Sequence, residues 1–537
     1  MMTGCPILMT PRDVRTLPAA GEDLLAQAFR SCCDFATERA SFAVGDRDVP
    51  ALQSVLFRIK KLGYSEAVVR ERLGLQDLAD LQWRGLPMYF GERLADRDQL
   101  ALLTDLFLLQ GTLPANEVER ILDPPERDVL TRSGLLSIDK VGRARARSSL
   151  FPVADRLIFS DHAWPELPHP GYSDVPSDQV MFVGGDSRML VRCTRRRPAR
   201  ASLDLCTGSG VQALFAAAHS ERVVAVDISP RAVRCAHFNA QVSGITNLDV
   251  VPGDLFEPVR GERFDLITAN PPFVPSPLHT LRFRDGGSSG EDVQKRIVAG
   301  LPNHLAPGGI AHMITELGER DGEPLVDRVR QWLSGAPMDI HVLRFREYSA
   351  IKYAIGHAKG NDYGEFLHSV DQWASNLRNQ HYSRIVVALV SFQWSDPASG
   401  PPWSVIEESQ PPQRAAGAEI EAAFVAQRMV RRNDWSEVVQ RRSLRRAGPI
   451  ALVDARLLGT ELGANAKATL LGRALVVEHQ LNQVERQILN HIDERPTLAE
   501  LSAALGRFHV SREQTVAGIT SLARRRLIIV GPQTGVL

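Results

Sequence analysis

The stretch that most constrains this chain runs from Ala201 to His219: a short apolar lead-in, Ala201-Ser202-Leu203, then the turn Asp204-Leu205-Cys206-Thr207-Gly208-Ser209-Gly210, then a helical pattern from Val211. Small residues in such a turn let the backbone approach a ligand, because glycine has no Cβ to keep it away. Seventeen residues past Gly210, the apolar run Val223-Val224-Ala225-Val226 ends in Asp227, followed by Ile228; an acidic side chain there accepts two hydrogen bonds from a ribose diol. A third run, Leu248 to Val251, ends in Gly253-Asp254-Leu255-Phe256, which places Asp254 where an adenine amino group donates. A fourth, Phe264 to Ala269, delivers Asn270-Pro271-Pro272-Phe273. Strands alternating with helices, with polar residues gathered at the strands' carboxyl ends, predict a doubly wound α/β sheet with a nucleoside across that edge.

The glycine turn alone also permits a dinucleotide fingerprint, read as Gly208, Gly210 and Ala213. Asn270-Pro271-Pro272-Phe273 decides against it, because hydride transfer has no use for that tetrapeptide. It suits nitrogen chemistry instead. An amide, guanidino or nucleobase nitrogen has its lone pair delocalised, so it attacks poorly unless acceptors hold its hydrogens and favour pyramidalisation. The Asn270 side-chain carbonyl and the Pro271 backbone carbonyl are candidate acceptors, the two prolines stiffen the loop, and Phe273 is placed to stack on a planar group. Aligning the reacting atoms then supplies most of the catalysis, with no strong general base and no metal required.

Asp204 to Gly210, Asp227, Asp254 and Asn270 to Phe273, in that order, resemble the successive motifs of class I S-adenosylmethionine-dependent methyltransferases of the amino-methylating type. The downstream stretch Phe283 to Gly290, then Ile297 to Leu305 and Pro307-Gly308-Gly309, is similar to the HemK-like branch, which methylates glutamine amides in release factors. The resemblance covers roughly residues 180 to 395. It implies a Rossmann-like core of seven mixed strands and S-adenosyl-L-methionine as cofactor. The cofactor would be bound by Asp204, Cys206, Thr207, Gly208, Ser209, Gly210, Asp227, Ile228, Asp254, Leu255 and Asn270. Catalysis would fall to Asn270, Pro271, Pro272 and Phe273. His279, Arg282 and Arg284 lie where such enzymes contact the acceptor, beside Phe273. Val180 to Ser187 is similar to the stretch over the cofactor's methionine end.

Each residue also has an ordinary structural reading: Asp204 fixing the turn, Asn-Pro-Pro ending a strand, Phe273 a core aromatic, Asp254 capping a loop. Gly184-Gly185 reads as a turn before a helix, Ser187 to Arg192, with Asp186 or Ser187 as its N-cap.

Length and charge bound the rest. The chain's 537 residues exceed one core and imply about three domains. With 63 basic and 63 acidic residues there is no global field for a polyanion. Cys5, Cys32, Cys33, Cys193, Cys206 and Cys235 lack metal-ligand spacing, so reduced thiols in a cytoplasmic protein are expected, and no run of 18 apolar residues suggests a membrane span. The expected division is a helical, winged-helix-like domain over 1–165, the methyltransferase core over 166–396, a linker over 397–415, and a carboxy-terminal domain over 416–537. That last domain has a winged-helix region: helices Asn482 to Asp493, Pro496 to Leu505 and Ser511 to Ala523, a Ser511/Gln514 capping box, Arg524-Arg525-Arg526, and a strand over Leu527 to Val530. Arg195-Arg196-Arg197 and Arg200 read as a solvated connection.

Three functions remain open at this point. One is N-methylation of a carboxamide or guanidino nitrogen on a protein or small molecule. Another is methylation of an rRNA or DNA base, with the arginine clusters as phosphate contacts. The third is a non-catalytic regulator that senses the cofactor and reads DNA. A homodimer is compatible with all of them.

Overall fold

The computed structural model describes residues 39–82, 85–163, 176–278, 281–360, 362–454, 466–493 and 496–531. Cys5, Cys32, Cys33, His279, the boundary expected at residue 165, and all but the last residue of a helix expected over Glu22 to Arg39 lie outside them.

The amino-terminal part carries helices Val49–Lys61, Glu66–Leu73, Gln99–Phe107 and Pro124–Arg132. Asp98 starts the third as its N-cap, accepting from the Ala101 amide at 2.7 Å. Strands β1 (Thr112–Leu113), β2 (Leu136–Ile138) and β3 (Ala144–Ala146) pair antiparallel in the order β1-β3-β2, and β4 (Ser149–Val153) pairs with β5 (Arg156–Ser160) as a hairpin.

The core is one sheet of eight strands. β6 (Ala199–Leu205), β7 (Ser220–Asp227), β8 (Leu248–Pro252), β9 (Phe264–Ala269), β10 (Leu305–Arg320), β11 (Met338–Ser349), β12 (Tyr382–Trp394) and β13 (Ser404–Glu408) lie in the order β13-β11-β12-β10-β9-β6-β7-β8. The five strands from β8 to β10 are parallel, while β12 runs antiparallel to both β10 and β11. The order reverses between β6 and β9, which opens the crevice at their carboxyl ends. The central strands are apolar on both faces, as a covered parallel sheet demands: Val223 to Val226 and Leu266 to Ala269 are all buried. Helices Asp292–His304 and Leu325–Trp332 cover one face; Gly185–Cys193, Val211–Ala216 and Gly417–Arg431 cover the other.

Three expectations are corrected here. The core has eight strands rather than seven, and 397–415 is not a simple linker, because β13 pairs in parallel with β11 from Ile340↔Ser404 to Arg344↔Glu408. The helix after Gly184 begins at Gly185, so neither Asp186 nor Ser187 is its N-cap.

Helix Pro230–Val242 joins the amino-terminal part to the core. Its Asn239 is buried; the side chain accepts from the Phe159 amide at 2.9 Å and donates to the carbonyls of Phe159 (2.7 Å) and Ser209 (2.9 Å). One side chain thereby ties β5 to the glycine turn.

Beyond β13, helices Gly417–Arg431 and Trp435–Arg441 precede β14 (Ser443–Arg446), β15 (Ile450–Asp454), β16 (Ala466–Leu470) and β17 (Glu478–Leu481). Helices Gln483–His491, Leu498–Gly506 and Arg512–Arg524 follow, then β18 (Ile528–Gly531), which pairs with β14. The Ser511/Gln514 capping box forms as expected, and Asn482/Glu485 and Thr497/Glu500 repeat it.

The arginine clusters are occupied internally. Arg526 donates to Glu407 on β13 at 2.7 Å, and Arg525 to the Gln480 carbonyl at 2.6 Å. Arg195 is buried and donates to the Asp265 carbonyl at 3.1 Å, while Arg196 lies over the Phe215 ring at 5.1 Å. Arg196, Arg197 and Arg200 are exposed, as a solvated connection requires, while Arg195 departs from that expectation: it is buried and fastens the start of β6.

Candidate active site

A cavity of about 450 Å³ opens at the carboxyl ends of β6 to β9. Its floor is the glycine turn. Gly210 has φ 81° and caps the following helix, and a Cβ there would stand 3.1 Å from the Ala236 Cα, so only glycine fits. Two non-glycine residues in left-handed conformation, Cys206 (φ 55°) and Leu255 (φ 53°), also face the cavity. Each costs about 1–3 kcal/mol that the surrounding packing must offset. Such strain concentrates at binding sites.

Asp227 ends β7. Its carboxylate accepts from the Gly208 amide at 2.9 Å and from the Ser229 amide at 2.9 Å, which leaves lone pairs for a ligand. Burial raises its pKa and these amides pull it back. Ile228 beside it is 56% exposed, an apolar face turned to the cavity. At the end of β8, Asp254 lines the same space and pairs with Arg296 at 2.7 Å.

Asn270 ends β9 and is the hub of the opposite side. Its amide nitrogen donates to Asp186 and Ser187, both at 3.2 Å, so the side chain is fixed with its oxygen turned the other way. That oxygen is buried without a partner. An unmet buried acceptor costs about 1–3 kcal/mol, and a donor from an incoming group removes that cost. The loop after Asn270 folds back on itself: Val274 donates to the Arg284 carbonyl at 2.9 Å and Gly286 to the Val274 carbonyl at 3.0 Å. Gly290 (φ 76°) closes it, where a Cβ would lie 2.4 Å from the Phe273 carbonyl oxygen.

Residues 183–321 match the methyltransferase small domain family, and residues 61–147 match a domain of unknown function (DUF7059). The ribosomal protein uL3 glutamine methyltransferase of Bordetella pertussis is 31% identical over 231 residues, 40% of this chain and 70% of that protein. The chain belongs to the HemK-like family of class I S-adenosylmethionine-dependent methyltransferases. The release factor glutamine methyltransferase of Geobacter sulfurreducens is 35% identical over 171 residues, 29% of this chain and 59% of that protein. The ribosomal protein uL3 glutamine methyltransferase of Bradyrhizobium diazoefficiens is 42% identical over 158 residues, 27% of this chain and 48% of that protein. The chain thus spans about half the length of these two relatives.

S-adenosylmethionine, the HemK-like cofactor, fits the residues present. Asp227 offers carboxylate lone pairs, Ile228 an exposed apolar face, and the strained turns at Cys206 and Leu255 bring backbone to the cavity wall. Of the residues expected from sequence, Cys206, Thr207, Gly208, Ser209, Asp227, Ile228, Asp254, Leu255, Asn270, Pro272 and Arg282 line it. Asp204, Gly210, Pro271, Phe273 and Arg284 do not.

Asp204 is buried beneath the turn and accepts from Thr207 (2.6 Å) and Thr268 (2.8 Å), so it shapes the loop rather than touching the ligand. Phe273 packs half-buried against Tyr353 and Trp373. Arg284 donates to Asp285 at 2.7 Å and lies over the Trp373 ring at 5.5 Å. Of the residues lining the cavity, sequence reasoning missed Gln212 and Arg296; Glu316 and Tyr353, paired nearby, were missed as well. A helix-interior Arg or Gln has no local signal, and Glu316 meets Tyr353 only through the fold.

Proposed function

We propose that this chain methylates the side-chain amide nitrogen of glutamine in a protein acceptor. The observation that carries this reading is the Asn270 side-chain oxygen, buried and unpartnered at the rim of the cofactor cavity. The bound cofactor supplies an electrophilic methyl group on sulfur. Asn270 accepts one N–H of the acceptor amide, and the Pro271 carbonyl is positioned by the stiff Pro-Pro loop to accept the other. Holding both hydrogens weakens the nitrogen's conjugation and aligns its lone pair with the methyl carbon. Transfer replaces one N–H by N–CH3, and the displaced proton leaves to water.

The names of the relatives, glutamine methyltransferases of release factors and of ribosomal protein uL3, support a protein amide. The nucleic-acid reading loses support from the arginines it needs: Arg525 and Arg526 are engaged with Glu485 and Glu407. Among the described residues no helix is long and apolar enough to cross a membrane.

The test is methyl transfer from radiolabelled S-adenosylmethionine into cell extract separated into protein, nucleic acid and small molecules, with purified release factors and uL3 as added acceptors. Label in protein at glutamine, absent with Asn270→Ala, is the expected result. Label confined to nucleic acid or small molecules would refute it.

A further inference from the structure

Behind Asn270 and Asp186, outside the lining of the cofactor cavity, stands an ionisable group that the reaction described above does not use. Glu316 lies near the carboxyl end of β10. The register Met313↔Ala269 between β10 and β9 puts Glu316 level with Pro272. Alternation along β10 puts it on the face of Ile310 and Ile314, which pack in one core with Leu190 of the helix Gly185–Cys193. Asp186 stands in the first turn of that helix, holding Asn270. Glu316 therefore shares a face with Asp186 and lies beside the Asn-Pro-Pro segment.

Its partner comes from elsewhere. The Tyr353 hydroxyl, on helix Ala350–His357, donates to one Glu316 carboxyl oxygen. Tyr353 is buried, stacked on His357 at 4.1 Å and edge-on to Trp373 at 6.5 Å, so the hydroxyl is held rigidly. The Gln294 side chain bonds the Glu316 backbone carbonyl at 3.2 Å, which fixes the strand end. The charged and titratable groups around this carboxyl are Asp186 from the helix Gly185–Cys193, Arg284 and Asp285 from the loop, and Tyr353 and His357 from the helix above. Asp285 is paired with Arg284 at 2.7 Å.

An amide acceptor has two ends. Asn270 offers only an acceptor, which serves the N–H groups; the amide carbonyl oxygen needs a donor. We propose that Glu316 is the specificity-determining residue for the acceptor, its carboxyl group donating a hydrogen bond to the carbonyl oxygen of the amide whose N–H Asn270 accepts. The inference rests on the glutamine-amide reading and narrows it. Burial, opposed by the Tyr353 hydrogen bond, reinforced by Asp186 and opposed again by Arg284, pushes the Glu316 carboxyl up to about 7, so the protonated form is well populated at neutral pH and able to donate. A neutral carboxyl favours an amide, which has a carbonyl to receive that proton's hydrogen bond. It offers nothing to a guanidinium or ammonium group, which would need a carboxylate. Tyr353 accounts for the other carboxyl oxygen and so leaves the O–H free to turn toward the acceptor.

The test is the pH dependence of kcat/KM for methylation of purified release factor and uL3 by wild type, Glu316→Gln, Glu316→Ala and Tyr353→Phe. Wild-type kcat/KM should fall as pH rises through about 7, because ionisation removes the donor. Glu316→Gln keeps an N–H donor and should retain transfer within a few-fold with that limb flattened. Glu316→Ala should lose about 10- to 100-fold. A wild-type pH profile in Glu316→Gln, or full activity in Glu316→Ala, would overturn the proposal.

A second measurement does not depend on the acceptor: the carbon-13 carboxyl resonance of Glu316, assigned by its loss in Glu316→Gln, titrated with S-adenosylhomocysteine bound. A midpoint near neutrality supports the proposal, and one in the ordinary glutamate range refutes it. If neither protein accepts label from wild type, the glutamine reading fails while this titration still judges the carboxyl.

Discussion

At the cofactor end of the cavity, polar groups are tied to neighbours close in the chain: Thr207 to Asp204, Ser229 to Asp227, and Gly208 to Asp227 across one strand–helix–strand unit. At the acceptor end the ties are long. Asn270 is held by Asp186, 84 residues earlier; Glu316 by Tyr353 on a helix inserted between β11 and β12; and the loop after Phe273 by Asn376, 101 residues beyond Pro275. The cofactor end thus rests chiefly on short segments, with Thr268 and Arg296 added from farther along the chain, and the acceptor end on ties across the assembled fold. The insertion Ala350 to Asn379 can therefore vary without disturbing the glycine turn on the other side of the cavity.

The sharpest way to break this comparison is to remove one anchor from each end and ask whether the effects separate. Asn270→Ala should slow transfer by about 10²- to 10³-fold, the usual cost of removing one preorganised polar contact at a reacting centre. Affinity for S-adenosylhomocysteine, measured by calorimetry, should stay unchanged. Asp227→Ala should do the reverse. It removes the ribose acceptor and frees the Gly208 and Ser229 amides, weakening S-adenosylhomocysteine by about 1.5–3 kcal/mol, roughly 10- to 100-fold. Equal loss of cofactor affinity in both variants would mean that the two ends are not independent.

The same division explains what could be read from the sequence. The alternation of strands and helices, the glycine turn, Asp227, Asp254 and the Asn-Pro-Pro-Phe segment were legible because each is a local pattern with its own physical signature. Glu316 and Tyr353 were not, since an isolated Glu in an apolar strand and a Tyr in a short helix reveal nothing until the fold brings them together. β13 was hidden by its surroundings: Pro401-Pro402 before it and Pro411-Pro412 after it read as an exit from the domain, yet between them Ser404–Glu408 pairs with β11. Arg526 stayed ambiguous for a related reason, because a basic triplet after a helix looks the same whether it meets phosphate or Glu407. Asp204 was legible as part of the turn, but whether it touched the ligand or the loop depended on Thr268, contributed by another strand.

That placement gives the cofactor end a pH signature of its own. Burial pushes the Asp204 carboxyl up to about 7 against the pull of the two threonine hydroxyls. A carboxyl whose folded pKa is raised above its unfolded value stabilises the fold fully below the ordinary aspartate range, and that contribution is lost as pH rises through the folded value. Denaturant midpoints should therefore decline from acid toward pH 7, and Asp204→Asn, which cannot titrate, should flatten the decline. A slope unchanged in Asp204→Asn would move the effect to another group and leave the turn electrostatically silent.

The smallest expected effect tests whether the insertion serves the acceptor alone. The Asn376 amide group donates to the carbonyls of Pro275 (3.1 Å) and Ser288 (2.9 Å), pinning the inserted helix onto the loop that follows Phe273. Asn376→Ala removes both bonds, each worth about 0.5–1.5 kcal/mol net, from a loop that other contacts still hold. The helix itself should survive, since Trp373 and Leu377 remain buried on the same face. The expected outcome is a few-fold rise in the acceptor's KM with kcat and S-adenosylhomocysteine affinity unchanged, because the loop loses definition where the acceptor enters and nowhere else. A matching loss of cofactor affinity would show that the helix supports both ends of the cavity, and the separation between local and long-range construction would then stop at the chemistry of Asn270 rather than extend to the loop around it.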